Sequence, residues 1–317
     1  MHMHDTVDTD FPTDFLTIEQ LSPAQLRALL DRAAAVKAGK DLGQLPEATV
    51  AMLFEKPSTR TRASFETGVT ELGGHPTFLG PDEIHLGHGE PISDTARVLS
   101  EYVDAIVARL FDHDDLEELA AYADVPVVNA LTDAAHPCQT LADLLTLLEI
   151  AGDDATLAWV GDGNNVARSL VVGCAMLGVD LRVATPDGYG IDDDTLETAA
   201  EFGCEPTIAT SPEAAVHGAD EGATGTGQPV ADAVYTDVWV SMGEEDERAE
   251  KLPAFDGYQI TEELLAGTDA KFMHCLPAHR GEEVTEDVLE GERSVVWQQA
   301  GNRKPVQQAL LLELLGE

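Results

Sequence analysis

At 317 residues, 44% of them hydrophobic, the chain is long enough for a large core and, on length alone, for two domains. Its 59 acidic against 18 basic side chains give a formal net charge of −41. With no cluster of Lys and Arg, that balance excludes nucleic acid and anionic membrane as partners, because both are bound through gathered cations.

In chain order, the apolar periods predict helix over Pro23–Lys37, strand over Thr49–Phe54, helix over Thr59–Leu72, strand over His75–Leu79 and helix over Ile92–Tyr102. Strand over Ala105–Leu110, helix over Leu116–Tyr122 and strand over Pro126–Leu131 follow. Strict alternation implies a parallel sheet covered on both faces, with ligands beyond the carboxyl ends of its strands. His136-Pro137-Cys138-Gln139 then opens a helix with proline at its first position. Leu141, Leu144, Leu145 and Leu148 share one of its faces and it ends near Gly152, so it is expected to join two domains.

The second half resumes with strand Thr156–Val160, helix Val166–Leu177, strand Leu181–Ala184 and helix Thr195–Phe202. Strands are expected over Pro206–Thr210, Ala233–Val238, Lys271–Leu276 and Ser294–Trp297, and a closing helix over Pro305–Leu315 packs back on the body. The fold class is α/β, two doubly wound parallel-sheet domains joined by helices, divided as 1–135, 136–152, 153–300 and 301–317.

The charge also bears on environment. Self-repulsion at −41 loads against the compact state in dilute buffer, and at about 1 M ionic strength a Debye length of roughly 3 Å relieves it. Lysine supplies only 6 of the 18 basic residues. The composition therefore predicts adaptation to a salt-rich cytoplasm. Disorder, the other reading of so much Asp and Glu, is set aside by periodicity that runs almost end to end. Only Gly218–Val230 reads as a mobile loop, and Met1–His4 as a frayed end. No apolar run approaches the roughly 18 residues of a membrane span. No secretory signal is read at the start, so Cys138, Cys174, Cys204 and Cys275, none in a Cys-x-x-Cys pair, are expected as reduced cytoplasmic thiols.

Polar residues gather at the expected strand ends. Ser58-Thr59-Arg60-Thr61-Arg62 follows a strand and opens a helix, bringing hydroxyls, two guanidiniums and free backbone N–H groups to the positive end of the helix dipole. One site for a phosphate or similar dianion is predicted there; a helix cap with two solvated arginines is the bland alternative. Arg109, His136 with Gln139, Asp162 to Asn165, Asp237 with Ser241, and His274-Cys275 occupy other strand ends. Taken singly, His136 reads equally as a helix-terminal residue, Arg109 as a partner for a carboxylate, Asp237 as a strand cap and Cys275 as a small buried apolar group. A reactive thiolate at Cys275 needs a polar neighbour such as Asp237. Clustering favours one cleft: cations for an anion with a polarisable carbonyl in the first half, Asp237 and the asparagines for an amine and a carboxylate in the second. Gly161-Asp162-Gly163-Asn164-Asn165 invites a dinucleotide reading, but Val166 stands where the third glycine belongs.

Phe54-Glu55-Lys56-Pro57-Ser58-Thr59-Arg60-Thr61-Arg62, His136-Pro137-Cys138-Gln139, Asp237-Val238-Trp239-Val240-Ser241-Met242-Gly243 and His274-Cys275-Leu276-Pro277 resemble the signatures of the ornithine carbamoyltransferase family. The resemblance runs from about Phe15 to Leu315; the first two motifs are shared with the aspartate enzymes and the last two point to ornithine. It implies a carbamoyl phosphate-binding domain followed by an ornithine-binding domain, a trimer or multiple of trimers, and no metal or organic cofactor. By the same resemblance Ser58, Thr59, Arg60 and Thr61 bind the phosphate, with Arg109, His136 and Gln139 on the carbonyl side and Arg303 reaching the carbonyl oxygen. Asn165, Asp237, Ser241 and Met242 hold the α-amino and α-carboxylate groups of ornithine, while Cys275 and Leu276 line the path of its δ-amine beside the carbamoyl group. Arg60, Arg109, His136, Cys275 and Arg303 are the implied catalytic set. Aspartate enzymes carry a neighbour's lysine in the loop matching Ile84–Gly89; none stands here. Putrescine or an acylated ornithine is the alternative acceptor.

Overall fold

The structure is a computed structural model that describes residues 11–40, 43–81, 89–218, 229–241, 243 and 245–316. Met1–His4, Met242 and most of Ile84–Gly89 and Gly218–Val230 lie outside the described residues. In chain order, α1 (Pro23–Lys37) precedes β1 (Thr49–Phe54), α2 (Thr59–Glu71), β2 (His75–Leu79), α3 (Ile92–Ser100), β3 (Ala105–Arg109), α4 (His113–Tyr122) and β4 (Val127–Leu131). These strands form one parallel sheet in the order β2-β1-β3-β4. Local chemistry starts the elements: Ser22 accepts from Gln25 N at 3.2 Å while Gln25 Oε1 accepts from Ser22 N at 2.8 Å, a capping box ahead of Pro23.

Helix α5 (Pro137–Ala151) leads to a second sheet. Its residues from Pro137 to Leu147 are all buried, as expected of a helix covered on every side. There follow β5 (Thr156–Val160), α6 (Asn165–Leu177), β6 (Asp180–Ala184), α7 (Asp193–Glu201), β7 (Thr207–Ile208), α8 (Pro212–His217), β8 (Ala233–Thr236), α9 (Arg248–Ala254), β9 (Lys271–His274), α10 (Glu286–Leu289) and α11 (Val296–Leu314). The strand order is β7-β6-β5-β8-β9, again all parallel. Strand order reverses between β1 and β3 in one sheet and between β5 and β8 in the other. Those are the two places where a doubly wound sheet opens a crevice at its carboxyl edge.

The expected strand over Ser294–Trp297 is corrected. Ser294 makes a single bridge to Phe272, Val295 N donates to Phe272 O at 2.9 Å, and the chain then turns into α11. One rung beside β9 suits the short apolar run, but the helix begins at Val296 rather than Pro305 and carries Pro305 inside it. An interior proline costs about 3 kcal/mol; burial of the whole stretch from Pro305 to Leu312, against α1, α2 and α5, offsets it. Strands β8 and β9 also end two residues sooner than expected, which frees Asp237 and Cys275 from the sheet. The helices α8, α9 and α10 were too short for periodicity to register.

Candidate active site

The strand ends of both sheets meet at one cavity of about 900 Å³. Ser58, Thr59, Arg60, Thr61, Arg109, His136, Gln139, Asn165, Asp237, Ser241, Cys275, Leu276 and Arg303 line it, so every described residue to which the resemblance gives a role is brought there, whereas His274 does not line it. Arg62 is not. Two positions beyond Arg60, it lies about 200° round the helix. Its Nε donates to Glu66 Oε1 at 2.9 Å and its guanidinium lies 3.7 Å over the Phe78 ring. The STRTR motif therefore contributes one arginine to the cavity, β3 and α11 bring two more beside it, and Arg168 of α6 and Arg248 of α9 also line the cavity.

On the cationic wall, Ser58 caps α2, accepting from Thr61 N at 3.3 Å and lying 3.0 Å from Thr61 Oγ1. The first turn holds no acidic residue, which leaves the helix dipole available to an anion. Arg109 ends β3; burial, then the guanidiniums of Arg303 and Arg60, bring it down to about 10, so it stays charged at neutral pH. Its Nε has no partner and no carboxylate pairs with it among the described residues, which removes the ion-pair reading. Arg303 approaches from α11, donating through Nη2 to Thr61 Oγ1 at 2.8 Å and through Nη1 to Gln139 Oε1. His136 precedes α5 but its side chain caps nothing; its backbone is tied, the N–H to Ser169 Oγ at 2.9 Å and the carbonyl oxygen to Gln139 N at 3.0 Å. Burial and the positive charges of Arg303, Arg109 and Arg60 hold its imidazole well below the ordinary histidine value, so the ring is neutral. Its Nδ1 is buried without a partner among the described residues, and a neutral ring offers one donor and one acceptor.

On the opposite wall Asp237 leaves β8 and accepts twice: from Cys275 Sγ on Oδ1 at 2.9 Å and from Asn164 Nδ2 on Oδ2 at 2.9 Å. Asn164 also caps α6, its Oδ1 accepting from Val166 N at 3.0 Å and Ala167 N at 3.1 Å. Asn165 donates instead to Thr132 O at 2.5 Å, across to the first half of the chain. The Gly-Asp-Gly stretch thus serves a helix cap, and a Cβ on Gly163 would collide with the Gly190 backbone, which accounts for the second glycine without a dinucleotide. Asp237 is the polar neighbour that Cys275 needed, yet it is an anion. Burial and Asp237 together push the Cys275 thiol well above its ordinary range, so the sulfur acts as a protonated donor and the thiolate reading is corrected. Leu276 follows with a left-handed φ of 61°, its N–H donating to His274 Nδ1 at 2.8 Å.

Two cavity lysines escaped sequence reasoning. Lys56 is buried 4.1 Å from the Phe111 ring centre, and Lys251 Nζ meets Asp162 Oδ2 at 2.9 Å. The signal was their rarity: in a chain with 6 lysines, two lining one cavity are informative.

The model of the aspartate/ornithine carbamoyltransferase carbamoyl-P binding domain matches residues 13–149, and that of the Asp/Orn binding domain matches residues 153–314. An ornithine carbamoyltransferase of Haloquadratum walsbyi is 60% identical over 307 residues, covering 96% of this chain and 98% of that one. A catabolic ornithine carbamoyltransferase of Halobacterium salinarum is 49% identical, covering 95% of this chain and 98% of that one. The solved ornithine carbamoyltransferase from Pyrococcus furiosus superposes with a TM-score of 0.87 at 44% identity, over 98% of this chain and 99% of that one. Sheet order, cavity and sequence likeness agree, and the chain belongs to the aspartate/ornithine carbamoyltransferase family.

Proposed function

We infer that this chain transfers the carbamoyl group of carbamoyl phosphate to the δ-amino group of L-ornithine, giving L-citrulline and phosphate. The observation that carries the reading is the polarity of the cavity. Arg60, Arg109 and Arg303 stand with an acid-free helix N-terminus on one wall, and Asp237 with its Cys275 and Asn164 donors on the other.

On this reading Ser58, Thr59, Arg60 and Thr61 take the phosphate at the start of α2, where backbone N–H groups and the dipole favour a dianion. The neutral δ-amine adds to the carbamoyl carbon, and the charge that gathers on the carbonyl oxygen meets donors already in place on Arg109, His136 and Arg303, with Gln139 beside them. The C–O bond to phosphate then breaks, and the proton shed by nitrogen departs with the phosphate. A neutral His136 suits this role, since it donates a hydrogen bond without surrendering a proton. Asp237, held by the protonated Cys275, draws the diamino acid in, Asn165, Ser241 and Met242 hold its α-amino and α-carboxylate groups, and Leu276 lines the path of its tail. An amine with a pKa near about 10 must first lose a proton, so the rate rises on the alkaline side.

The same reading divides the chain into a carbamoyl phosphate-binding domain over 1–135, a joining helix over 136–152, an ornithine-binding domain over 153–300 and a C-terminal helix that packs back on the first domain. The family models, ending at 149 and beginning at 153, support the boundary after the joining helix. A homotrimer or multiple of trimers working in a salt-rich cytoplasm completes the proposal; the net charge of −41 and the likeness to the Haloquadratum sequence support the salt. Phosphate release and the ureido product formed, assayed with ornithine, putrescine and aspartate in parallel, in molar KCl, test the whole. Ornithine is the expected acceptor, and no citrulline above background refutes the reading.

A further inference from the structure

Behind the cavity wall lies a carboxylate that the reaction scheme does not use. Asp143, one turn along α5 from Gln139, is fully buried. Its Oδ1 accepts from Gln139 Nε2 at 2.7 Å and from Gln299 Nε2 at 2.7 Å, and its Oδ2 accepts from the Tyr235 hydroxyl at 3.0 Å. The three donors come from α5, α11 and β8. A side-chain amide that donates through nitrogen presents its oxygen elsewhere. Gln139 thereby turns Oε1 to Arg303 Nη1, whose Nη2 reaches Thr61. Gln299 thereby turns Oε1 to His274 N at 2.8 Å, at the last residue of β9 before Cys275. Tyr235 stands two residues before Asp237 on β8.

We propose that Asp143 is a positioning residue for carbamoyl transfer, orienting Arg303 through Gln139 and, through Gln299 and Tyr235, the strand ends that carry Cys275 and Asp237. One oxygen sets the direction of both amides, so the cationic wall and the amine-facing wall share a single reference point. Burial outweighs its hydrogen-bond donors and Arg303, leaving the Asp143 carboxyl raised to about 7. What the network requires is an acceptor in that place. Asparagine can supply it: its Oδ1 keeps both glutamines and its Nδ2 donates to the Tyr235 oxygen.

The inference rests on the carbamoyl-transfer reading. The test measures kcat, KM for both substrates and melting temperature, in molar KCl, for the parent, Asp143→Asn, Asp143→Ala, Arg303→Ala and the Asp143→Ala/Arg303→Ala pair. A group displaced by about 1 Å can cost about 10² in rate, so Asp143→Ala should lose about that factor in kcat with KM for carbamoyl phosphate nearly unchanged. Asp143→Asn should stay within about fivefold of the parent, and the loss from Asp143→Ala should be clearly smaller when Arg303 is already alanine, what remains being the share carried through Gln299 and Tyr235. A folded Asp143→Ala with kcat within a fewfold of the parent overturns the proposal. So does a loss carried by KM alone, a loss that multiplies with Arg303→Ala, or an Asn variant as impaired as Ala. If Asp143→Ala does not fold, Asp143→Glu decides by the same pairing with Arg303→Ala. A parent that makes no citrulline defeats the functional reading itself, and an active parent indifferent to Asp143 defeats the inference alone.

Discussion

Replacing Arg109 with methionine should make the empty enzyme more stable and far less active. Burial and the nearby charges of Arg303 and Arg60 bring Arg109 from the ordinary arginine range down to about 10. At about 1.4 kcal/mol per pH unit, holding that charge in the folded, ligand-free protein costs on the order of 3 kcal/mol. With the residue only 8% exposed, little solvent screening reduces the figure. The folded state holds this proton less tightly than the unfolded chain does. The cost is therefore present in full at every pH below about 10 and fades as the pH climbs past that value. Methionine keeps the apolar stem and removes the charge, so Arg109→Met in molar KCl at neutral pH, with no anion present, should melt a few degrees above the parent. Bound phosphate supplies the missing countercharge, so adding inorganic phosphate should raise the parent's melting temperature more than the variant's. Turnover to citrulline should fall by about 10²–10³, the usual loss for one donor to a developing oxyanion. An anion-free variant that melts at or below the parent, or a kcat within a fewfold of it, refutes the reasoning.

His136→Ala should lose about 10²–10³ in kcat on the same ground. In the parent, log kcat/KM should rise through the mildly acidic range with no inflection at the ordinary histidine value, because the ring's depressed pKa keeps it neutral there; an acid limb at that value would contradict its neutral role. Cys275 should react with iodoacetamide at least about tenfold more slowly than a free thiol at mildly alkaline pH, since its raised pKa starves it of thiolate. Mass spectrometry of its peptide reads this, and prompt alkylation would show an ionised sulfur. Transfer from molar to dilute buffer should lower both melting temperature and activity, because repulsion among 59 acidic side chains is then unscreened; unchanged values would reject the salt adaptation.

Much of the fold was legible because alternating periods announce parallel strands with covering helices. β1, β2 and β5 occupy the predicted residues, and α1 matches end to end. What failed failed for identifiable reasons. The run Ser294–Trp297 has strand composition but finds one rung beside β9 before α11 claims it. Arg60 and Arg62 look alike in the chain, yet helical geometry sends one into the cavity and the other over Phe78. Of two adjacent asparagines, Asn164 reaches Asp237 and Asn165 reaches Thr132.

The sequence by itself determined the inventory and its placement near strand ends: hydroxyls and an arginine at the start of α2, Arg109 at the end of β3, Asp237 at the end of β8, Cys275 at the end of β9. These follow from local alternation, since a residue just past a parallel strand must emerge at the sheet's carboxyl edge. Only the tertiary structure decided their chemical states. Whether His136 is neutral, Cys275 protonated or Arg109 costly to charge depends on burial and on neighbours hundreds of residues away. Arg303 is the clearest case, meeting Thr61 across a separation of 242 residues. Desolvation and Coulomb energy are properties of the assembled cavity, and no period or spacing along the chain encodes them.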